Sequence, residues 1–396
     1  MSVIVDHTLL PTLEQFGAFD IGACFNCGNC TAVCPLSEGD TTFPRKIIRY
    51  AQVGMQENLL SSKELWTCYA CGECSETCPR QAEPSEFMAA ARRYAIGSYD
   101  RTGLARTMYT RPVLGTAIAV FLAAFFAIFM AAGHGGQATG SLDLFGFVPE
   151  DLIHSTGIVV MVIVALAGLA GILTMARQIG RAEGVGWRTV VGSRAAVGRS
   201  LGALWEAIGV ESLGQRRYRE DCDADQAAVP LYRRRWLLHA VTMWGFLGLL
   251  GATILDYGLA LAGIKATGTP VPIWYPVRLL GTIAGLLLVY GTSVLILDRF
   301  RRANRSVAHS TPADWTLLAL LWITGVTGFA LEVALYLPGA PAWGYWVFLF
   351  HVAVAMELVL LAPFMKLAHV LYRPVALFFY ALARTPELPD RQGGTR

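Results

Sequence analysis

The sequence predicts an all-α membrane protein, in which a bundle of six transmembrane helices follows a small helical domain at the N-terminus. Apolar residues make up 54% of the 396 residues and charged residues only 15%, whereas about a quarter of an average soluble protein is charged. Eight of the nine cysteines precede the first long apolar run, which begins after residue 105. We therefore expect two domains, at residues 1–105 and 106–396.

Six apolar runs account for the second domain. They cover about 112–132, 152–174, 236–260, 277–297, 314–337 and 343–372, with segments rich in glycine, proline or charge between them. A helix needs about 20 predominantly apolar residues to cross the hydrocarbon core of a bilayer. Each run therefore predicts one transmembrane helix.

Basic residues are concentrated on one side of the predicted membrane. Arginines crowd the loop at about 175–235 and follow the fourth and sixth runs, whereas the alternate loops contain Lys265 alone. Because Lys and Arg favour cytoplasmic loops, we predict a multi-pass protein of the cytoplasmic (inner) membrane, with both termini and the cysteine domain in the cytoplasm. The basic loop is either a solvated connector or a docking surface for the cysteine domain or a partner subunit. A net charge of +3 is too small to indicate nucleic acid binding.

Two cysteine motifs share one spacing. They are Cys24-x-x-Cys27-x-x-Cys30-x-x-x-Cys34-Pro35 and Cys68-x-x-Cys71-x-x-Cys74-x-x-x-Cys78-Pro79. In this bacterial dicluster ferredoxin run, three thiolates hold one 4Fe–4S cluster and the fourth reaches the other cluster. We therefore expect cluster one on Cys24, Cys27, Cys30 and Cys78, and cluster two on Cys68, Cys71, Cys74 and Cys34. Zinc is the alternative, but its sites usually pair C-x-x-C knuckles, and two complete four-cysteine runs argue against it.

The cysteine domain resembles the helical dicluster ferredoxins of the heterodisulfide reductase C type. The resemblance covers roughly residues 15–100 and is carried by Trp66-Thr67-Cys68 and the closing Cys78-Pro79-Arg80. The stretch between the two motifs has a helical pattern. The resemblance implies a small helical ferredoxin domain with two 4Fe–4S clusters.

Four of the seven histidines lie in the apolar runs, at His154, His239, His351 and His369. An ionisable ring within a membrane helix is costly and usually functional. His351 and His369 are 18 residues apart, which is five turns of one helix, so we expect both on one face. Antiparallel packing then predicts two bis-histidine haem sites, with His239 and His369 on the cytoplasmic side and His351 and His154 on the outer side. The alternatives are interfacial histidines without metal, or an outer haem that is absent or otherwise ligated.

The membrane domain resembles the cytochrome b subunits of the respiratory nitrate reductase gamma and heterodisulfide reductase E type. Arg235-Trp236-Leu237-Leu238-His239 and the late pair His351 and His369 carry this resemblance, which covers about 230–380 and implies haem b. The nitrate reductase type has a second histidine about ten residues further along the early helix. This sequence has none near Leu249, so His154 is placed by geometry. Glycines at 245, 248 and 251 are expected to let a flat macrocycle approach the third helix.

These features together predict an electron-transfer subunit. Clusters and haems pass single electrons, and the membrane end of such a chain is expected to meet quinone or quinol. The chain has no nucleotide-binding glycine pattern, so the soluble end requires a partner, which the resemblance suggests is a heterodisulfide reductase-like subunit or a flavoprotein. No catalytic residue is predicted. The alternative is a cluster-carrying membrane anchor or ion-translocating subunit without haem, in which Glu357 would suit proton movement.

Overall fold

The computed structural model describes residues 4–37, 41–223, 229–265, 271–302 and 310–384, with only the backbone at 221–223. Within these ranges the chain is helical and contains no strand. The first eight α-helices are short apart from α7, and they are α1 (Leu9–Gln15), α2 (Asn29–Ala32), α3 (Arg45–Gln52), α4 (Gln56–Leu60), α5 (Glu64–Thr67), α6 (Glu73–Glu76), α7 (Pro84–Tyr99) and α8 (Leu104–Thr110). The stretch between the two cysteine motifs thus folds into α3, α4 and α5.

The later helices include the long apolar ones. In chain order they are α9 (Pro112–Ala132), α10 (Leu144–Phe147), α11 (Glu150–Ala182), α12 (Trp187–Val191), α13 (Arg194–Trp205), α14 (Arg216–Asp223), α15 (Arg235–Leu261), α16 (Pro276–Phe300), α17 (Pro312–Tyr336), α18 (Ala342–Leu361) and α19 (His369–Arg384). Six of them, α9, α11, α15, α16, α17 and α18, are long and apolar enough to cross a bilayer. Their apolar windows are at most 56% buried within the protein, which leaves apolar side chains for lipid. The chain is a multi-pass membrane protein, and the predicted fold class is confirmed.

Local sequence signals explain where these helices begin. Proline stands in the first turn of α9, α16 and α17, where it removes no helical hydrogen bond and presets the backbone angle. The start of α17 is also closed by a capping box between Thr311 and Asp314, which satisfies two backbone donors that would otherwise be unpaired.

The sixth apolar run is not one helix. Helix α18 ends at Leu361, two 3₁₀ turns follow at Ala362–Phe364 and Lys366–Ala368, and Met365 between them is extended. Pro363 explains the break, because proline lacks the amide donor and its ring clashes with the preceding turn. The prediction that His351 and His369 lie on one face of a continuous helix, five turns apart, was therefore wrong.

The chain forms two compact units, and neither is continuous in sequence. The first comprises the described parts of Met1–Arg101, Leu169–Cys222 and Ala368–Arg396, and the second comprises those of Thr102–Gly168 and Asp223–Leu367. The first unit therefore contains the cysteine motifs, most of the basic loop and α19. The second unit contains the membrane helices, apart from the C-terminal part of α11.

An aromatic cluster forms much of the core of the first unit. Trp66, Tyr99 and Tyr372 are all fully buried, and their ring centroids lie 5.2 to 6.4 Å apart. Tyr99 also donates a hydrogen bond to the Leu60 carbonyl at 2.6 Å, which satisfies its hydroxyl. Large rings bury much apolar area, so this cluster holds α19 against α5 and α7.

The basic loop is part of the same unit as the ferredoxin region. The Tyr218 ring stacks on Tyr69, with 5.6 Å between centroids and 19° between ring planes, and Lys63 forms an ion pair with Glu183. Arg217 lies over the Tyr380 ring of α19 at 4.7 Å. Of the two interpretations of this loop, these contacts favour the docking surface for the cysteine domain.

In the second unit, small residues allow α15 and α16 to approach closely. A Cβ at Gly245 would lie 2.6 Å from the Leu288 amide nitrogen, and a Cβ at Gly248 would lie 2.7 Å from the Ala284 methyl. Such small-residue contacts are typical of packed membrane helices. Gly245 and Gly248 thus accommodate α16, and the expectation that they face a macrocycle was wrong.

Candidate iron–sulfur and haem sites

The two cysteine loops adopt the same backbone conformation. Asn26 and Ala70, each two residues after the first cysteine of its motif, have φ of 65° and 55°. Gly28 and Gly72, two residues further on, have φ of 91° and 100°. These left-handed residues turn the chain tightly, after which α2 carries Cys30 and α6 carries Cys74.

The cysteines form two sets that mix the two motifs. The electrostatic neighbours of the Cys30 thiol are Cys24, Cys27 and Cys78. Those of Cys74 are Cys68, Cys71 and Cys34, with Cys30 the weakest. In each set, three thiols come from one motif and the fourth comes from the other.

A small cavity marks the second set. Its lining includes Cys34, Cys68, Cys71 and Cys74, together with Phe43 and Met88. Across the described part of the chain, no three His, Cys, Asp or Glu side chains converge closely enough for a single metal ion. Four thiols around one cavity supply the four ligands of a 4Fe–4S cube.

Burial governs the protonation of these thiols. Desolvation raises the pKa of Cys34 to about 12, and it also raises the pKa values of Cys30 and Cys74. Without a metal these thiols stay protonated at neutral pH, and iron must displace the protons when it binds. Thiols that are desolvated in this way are poor nucleophiles in the absence of a metal.

Two arginines flank the second cysteine set. Arg92 and Arg373 each donate a hydrogen bond to the Cys68 carbonyl at 3.3 Å. Arg92 Nη2 is buried and has no hydrogen-bond partner in the protein. A buried, unsatisfied donor is costly, and the acceptor atoms of an iron–sulfur cluster would satisfy it.

His351 contacts a hydroxyl group on the neighbouring helix α17. Its Nδ1 lies 2.8 Å from the Thr327 hydroxyl, which also lies 2.7 Å from the Ile323 carbonyl oxygen. When Thr327 donates to Ile323 and accepts from His351 Nδ1–H, Nε2 carries a bare lone pair. A second hydrogen bond of this kind is what orients a metal-ligating histidine. The ring also faces Gly328, since a Cβ built at that glycine would lie 3.5 Å from His351 Cε1.

His154 lies near the start of α11 among different neighbours. Its Nδ1 is 3.4 Å from a Glu150 carboxylate oxygen, and its ring lies 4.5 Å from the Tyr257 ring of α15. The Glu150 contact joins two residues one turn apart on α11. The contacts of the two histidines therefore involve different helices, α11 and α15 for one and α17 for the other.

The remaining two histidines fall in different units. His239 lies one turn into α15 in the second unit, and His369 begins α19 in the first. Their pairing on one haem stays a prediction from the sequence.

Glu357 is an unpaired carboxyl group in α18. It is 1% exposed, and its Oε2 has no hydrogen-bond partner. A buried carboxyl without a partner is costly, and an ionisable group within a membrane helix is a functional candidate.

Three side chains at these sites were missed by sequence reasoning. Arg92, Arg373 and Thr327 lie outside every recognised motif, and each acts on a residue distant in sequence. Their signal in the sequence was weak: Arg373 is four residues after His369 at the end of an apolar run, where a basic residue is ordinary.

Two family models match the chain, one over the cysteine motifs and the other over the membrane helices. A 4Fe-4S dicluster domain model matches residues 20–82, and the model for citrate utilization protein B matches residues 103–390. The predicted resemblance to cytochrome b subunits is thus replaced, for the membrane half, by a match to citrate utilization protein B. The N-terminal region is an iron–sulfur dicluster domain, and the chain is an electron-transfer protein.

Individual relatives agree with this division. Citrate utilization protein B of Escherichia coli is 31% identical over 166 residues, which are 41% of each chain. A protein of Archaeoglobus profundus that is described as similar to the C-type subunit of heterodisulfide reductase is 38% identical over 111 residues, which are 26% of this chain and 58% of that protein. The C-type iron-sulfur subunit of the CoB–CoM heterodisulfide reductase of Methanopyrus kandleri is 35% identical over 56 residues, 14% of this chain and 29% of that protein. The predicted likeness of residues 15–100 to the heterodisulfide reductase C type is confirmed.

These matches span about two fifths, three fifths and three tenths of the three relatives. No solved structure matches the chain. The citrate utilization protein B match extends from α8 to beyond α19 and covers well over half of the sequence. The chain, with its dicluster domain and its six membrane helices, belongs to the citrate utilization protein B family.

Proposed function

We propose that this chain passes single electrons between a soluble redox partner and the quinone pool, through two 4Fe–4S clusters and b-type haem. The observation that carries the proposal is the grouping of eight cysteines into two sets of four within the first unit. The same chain supplies six membrane helices, so it can deliver electrons to a lipid-soluble acceptor. The direction of flow depends on the partner, since the same parts serve quinone reduction and quinol oxidation.

The cysteine residues are the proposed ligands of the two clusters. Cys24, Cys27, Cys30 and Cys78 hold cluster one, and Cys68, Cys71, Cys74 and Cys34 hold cluster two. A 4Fe–4S cluster, when bound, takes up and releases one electron. Because each motif contributes one thiolate to the other set, Cys30 is a neighbour of both Cys34 and Cys74, which supports short-range transfer between the two clusters.

Histidines of the second unit are the proposed haem ligands. His351 presents a bare Nε2 when Thr327 accepts from its Nδ1–H, and His154 contacts Glu150 through its Nδ1. Haem b, when bound, adds a further one-electron carrier within the membrane. His239 is the proposed ligand near the cytoplasmic end of α15.

The soluble partner is inferred from the relatives. Two of them are named as a C-type subunit of a heterodisulfide reductase or as a protein similar to one, so we propose a partner of that reductase class or a flavoprotein. Quinone or quinol is the proposed partner in the membrane.

A reduced-minus-oxidised difference spectrum of the purified protein tests the haem directly. We expect b-type haem bands after dithionite reduction, together with about eight iron atoms per chain in the clusters. His351→Ala should remove the haem that His351 binds. The cluster signals should be unchanged, because the cysteine sets and His351 lie in different units. His134→Ala is the matched control, since His134 lies on the exposed loop after α9, and it should keep every band. A spectrum without haem bands in the unaltered protein would contradict this part of the proposal.

Glu357 favours a second candidate function, a cluster-carrying membrane subunit that moves protons without haem. Its buried, unpaired carboxyl group in α18 could accept and release a proton within the membrane. The two candidates differ in one measurement. The second requires an unaltered protein without haem, and loss of proton movement in Glu357→Gln.

A further inference from the structure

The surroundings of the two cysteine sets are unequal. Cys27 of the first set is exposed, and the neighbouring Phe25 side chain is 60% exposed. No cysteine of the second set is exposed in the described residues. Helix α19 and the segment 169–222, which belong to the same unit, lie on the side of Cys68 and Tyr69.

Two guanidinium groups converge on the second set. Arg92 comes from α7 and Arg373 from α19, and both donate to the Cys68 carbonyl at 3.3 Å. Arg92 also donates from Nε to the Met88 carbonyl at 3.3 Å, on its own helix. Arginine stays charged throughout the physiological range, so these contacts place two permanent positive charges next to one cluster site.

Arg373 is fixed in place by aromatic rings. Its guanidinium lies 4.9 Å from the centroid of the Tyr69 ring, and Tyr69 is stacked in turn on Tyr218. Stacking on an aromatic face is favourable for arginine, and the N–H groups at the edge of the guanidinium can still donate hydrogen bonds. The charge is therefore held against the site rather than moving in solvent.

The nearby acid does not cancel this charge. Glu211 is the carboxylate that interacts with Arg373, but it is already paired with Arg216 at 3.0 Å and Arg217 at 3.5 Å. Glu73 lies in the lining of the cavity, and α5, α6 and α7 also carry Glu64, Glu76 and Glu86. Glu211 therefore has two other guanidinium partners, and Arg373 keeps its contact with the Cys68 carbonyl.

Reduction of a cluster adds one negative charge to a site that already carries four thiolates. A fixed positive charge in a medium of low polarity stabilises that added charge, and cluster potentials depend on net charge, hydrogen bonds and solvent exposure. We propose that Arg373, together with Arg92, raises the reduction potential of the cluster on Cys68, Cys71, Cys74 and Cys34. This inference rests on the proposed function, in that both clusters must be present.

The step that this potential governs is the transfer of one electron between the two sites. One site is oxidised, the other is reduced, and no bond or proton changes. The first set, in which Cys27 is exposed, is the side for exchange with the soluble partner in either direction.

A redox titration followed by electron paramagnetic resonance tests the role of Arg373 in the full-length protein. Arg373→Gln should lower the potential of one cluster by about 59 mV, a tenfold change in its one-electron equilibrium, and leave the other cluster unchanged. Arg92→Gln should shift the same signal in the same direction. Arg373→Lys keeps the charge and should retain most of the potential, and Cys71→Ser identifies which signal belongs to the second set.

Arg384→Gln is the matched control. Arg384 lies three turns further along α19, where it bonds to Tyr380, and its loss should shift neither signal. An unchanged potential in both Arg373→Gln and Arg92→Gln would overturn the proposal. Loss of the second cluster from Arg373→Gln would also overturn it, because Arg373 would then hold the site together rather than set its potential. Failure of the proposed function is distinct, since it appears as fewer than about eight iron atoms in the unaltered protein.

Discussion

At the scale of single residues, backbone amides face one sulfur atom of each cysteine set. The Ala70 amide donates to Cys68 Sγ and the Ala82 amide donates to Cys78 Sγ, each at 3.4 Å. Hydrogen bonds to sulfur stabilise thiolate charge and contribute to the potential of an iron–sulfur site. Serine places a harder oxygen at the same position and is a weaker ligand for iron.

Cys30 and Cys34 belong to one motif but to different thiol sets, so they form a matched pair for mutation. Cys30→Ser should remove cluster one, and Cys34→Ser should remove cluster two, because Cys34 has Cys68 and Cys71 as its strongest thiol neighbours. Iron content and the paramagnetic resonance signals of the reduced protein measure the loss. Cys78→Ser should reproduce the Cys30→Ser result. If both Cys30→Ser and Cys34→Ser removed the same signal, cross-ligation between the motifs would be wrong.

At the scale of helices, packing decides what the small residues do. Gly245 and Gly248 face α16, whereas no atom lies within 4 Å of a Cβ built at Gly251. On α15, glycine therefore packs against α16 at positions 245 and 248 and lies in open space at position 251.

Gly245→Ala tests this packing. The added methyl would lie 2.6 Å from the Leu288 nitrogen and 2.8 Å from the Ala284 carbonyl oxygen, and backbone cannot move aside cheaply. We expect a loss of about 1–3 kcal/mol of stability from overpacking, measured as a lower thermal midpoint in detergent. Gly251→Ala is the control and should leave the midpoint unchanged or raise it, because alanine favours helix where space is free. Equal midpoints for the two variants would contradict the close approach of α15 and α16.

The C-terminal part of the last apolar run changes its role at Pro363. Upstream, α18 is a membrane helix whose His351 contacts α17. Downstream, α19 belongs to the first unit, where Tyr372 joins the aromatic core and Arg373 contacts the Cys68 loop. One proline thus separates a haem-ligand candidate from residues that surround an iron–sulfur site.

At the scale of the whole molecule, the positive charge is distributed unevenly between the loops. The segment after α11 is rich in arginine, and the loop after α9 has no Lys or Arg between residues 133 and 151. The positive-inside rule therefore supports a cytoplasmic first unit and an outer position for the loop after α9.

Cysteine labelling in intact cells tests this topology. A cysteine introduced at Gln137, which is exposed, should react with a membrane-impermeant reagent added from outside. A cysteine at Arg188, also exposed, should react only after the membrane is permeabilised, because the basic loop is predicted to face the cytoplasm. Gln215 is buried and is unsuitable as a reporter. Labelling at Arg188 but not at Gln137 in intact cells would reverse the assignment.

The sequence by itself determined the helical membrane fold and the candidate cluster ligands. Apolar runs of about 20 residues permit only helices across a bilayer, and the spacing of two cysteine motifs defines a local wrapping geometry. Both signals are local, since they depend on neighbours within one helix or one loop. For the same reason the ligand candidates His154, His239, His351 and His369 were found as polar rings in apolar runs.

Only the tertiary structure decided which distant residues meet. Arg373 contacts the carbonyl of Cys68 across 305 positions of sequence, Thr327 on another helix contacts the His351 ring, and α16 occupies the space beside Gly245. Each contact depends on how helices pack, and packing energy is summed over many weak contacts that no short sequence pattern encodes. The first unit likewise assembles three separate segments of the chain, because their buried faces match in space although they are far apart in sequence.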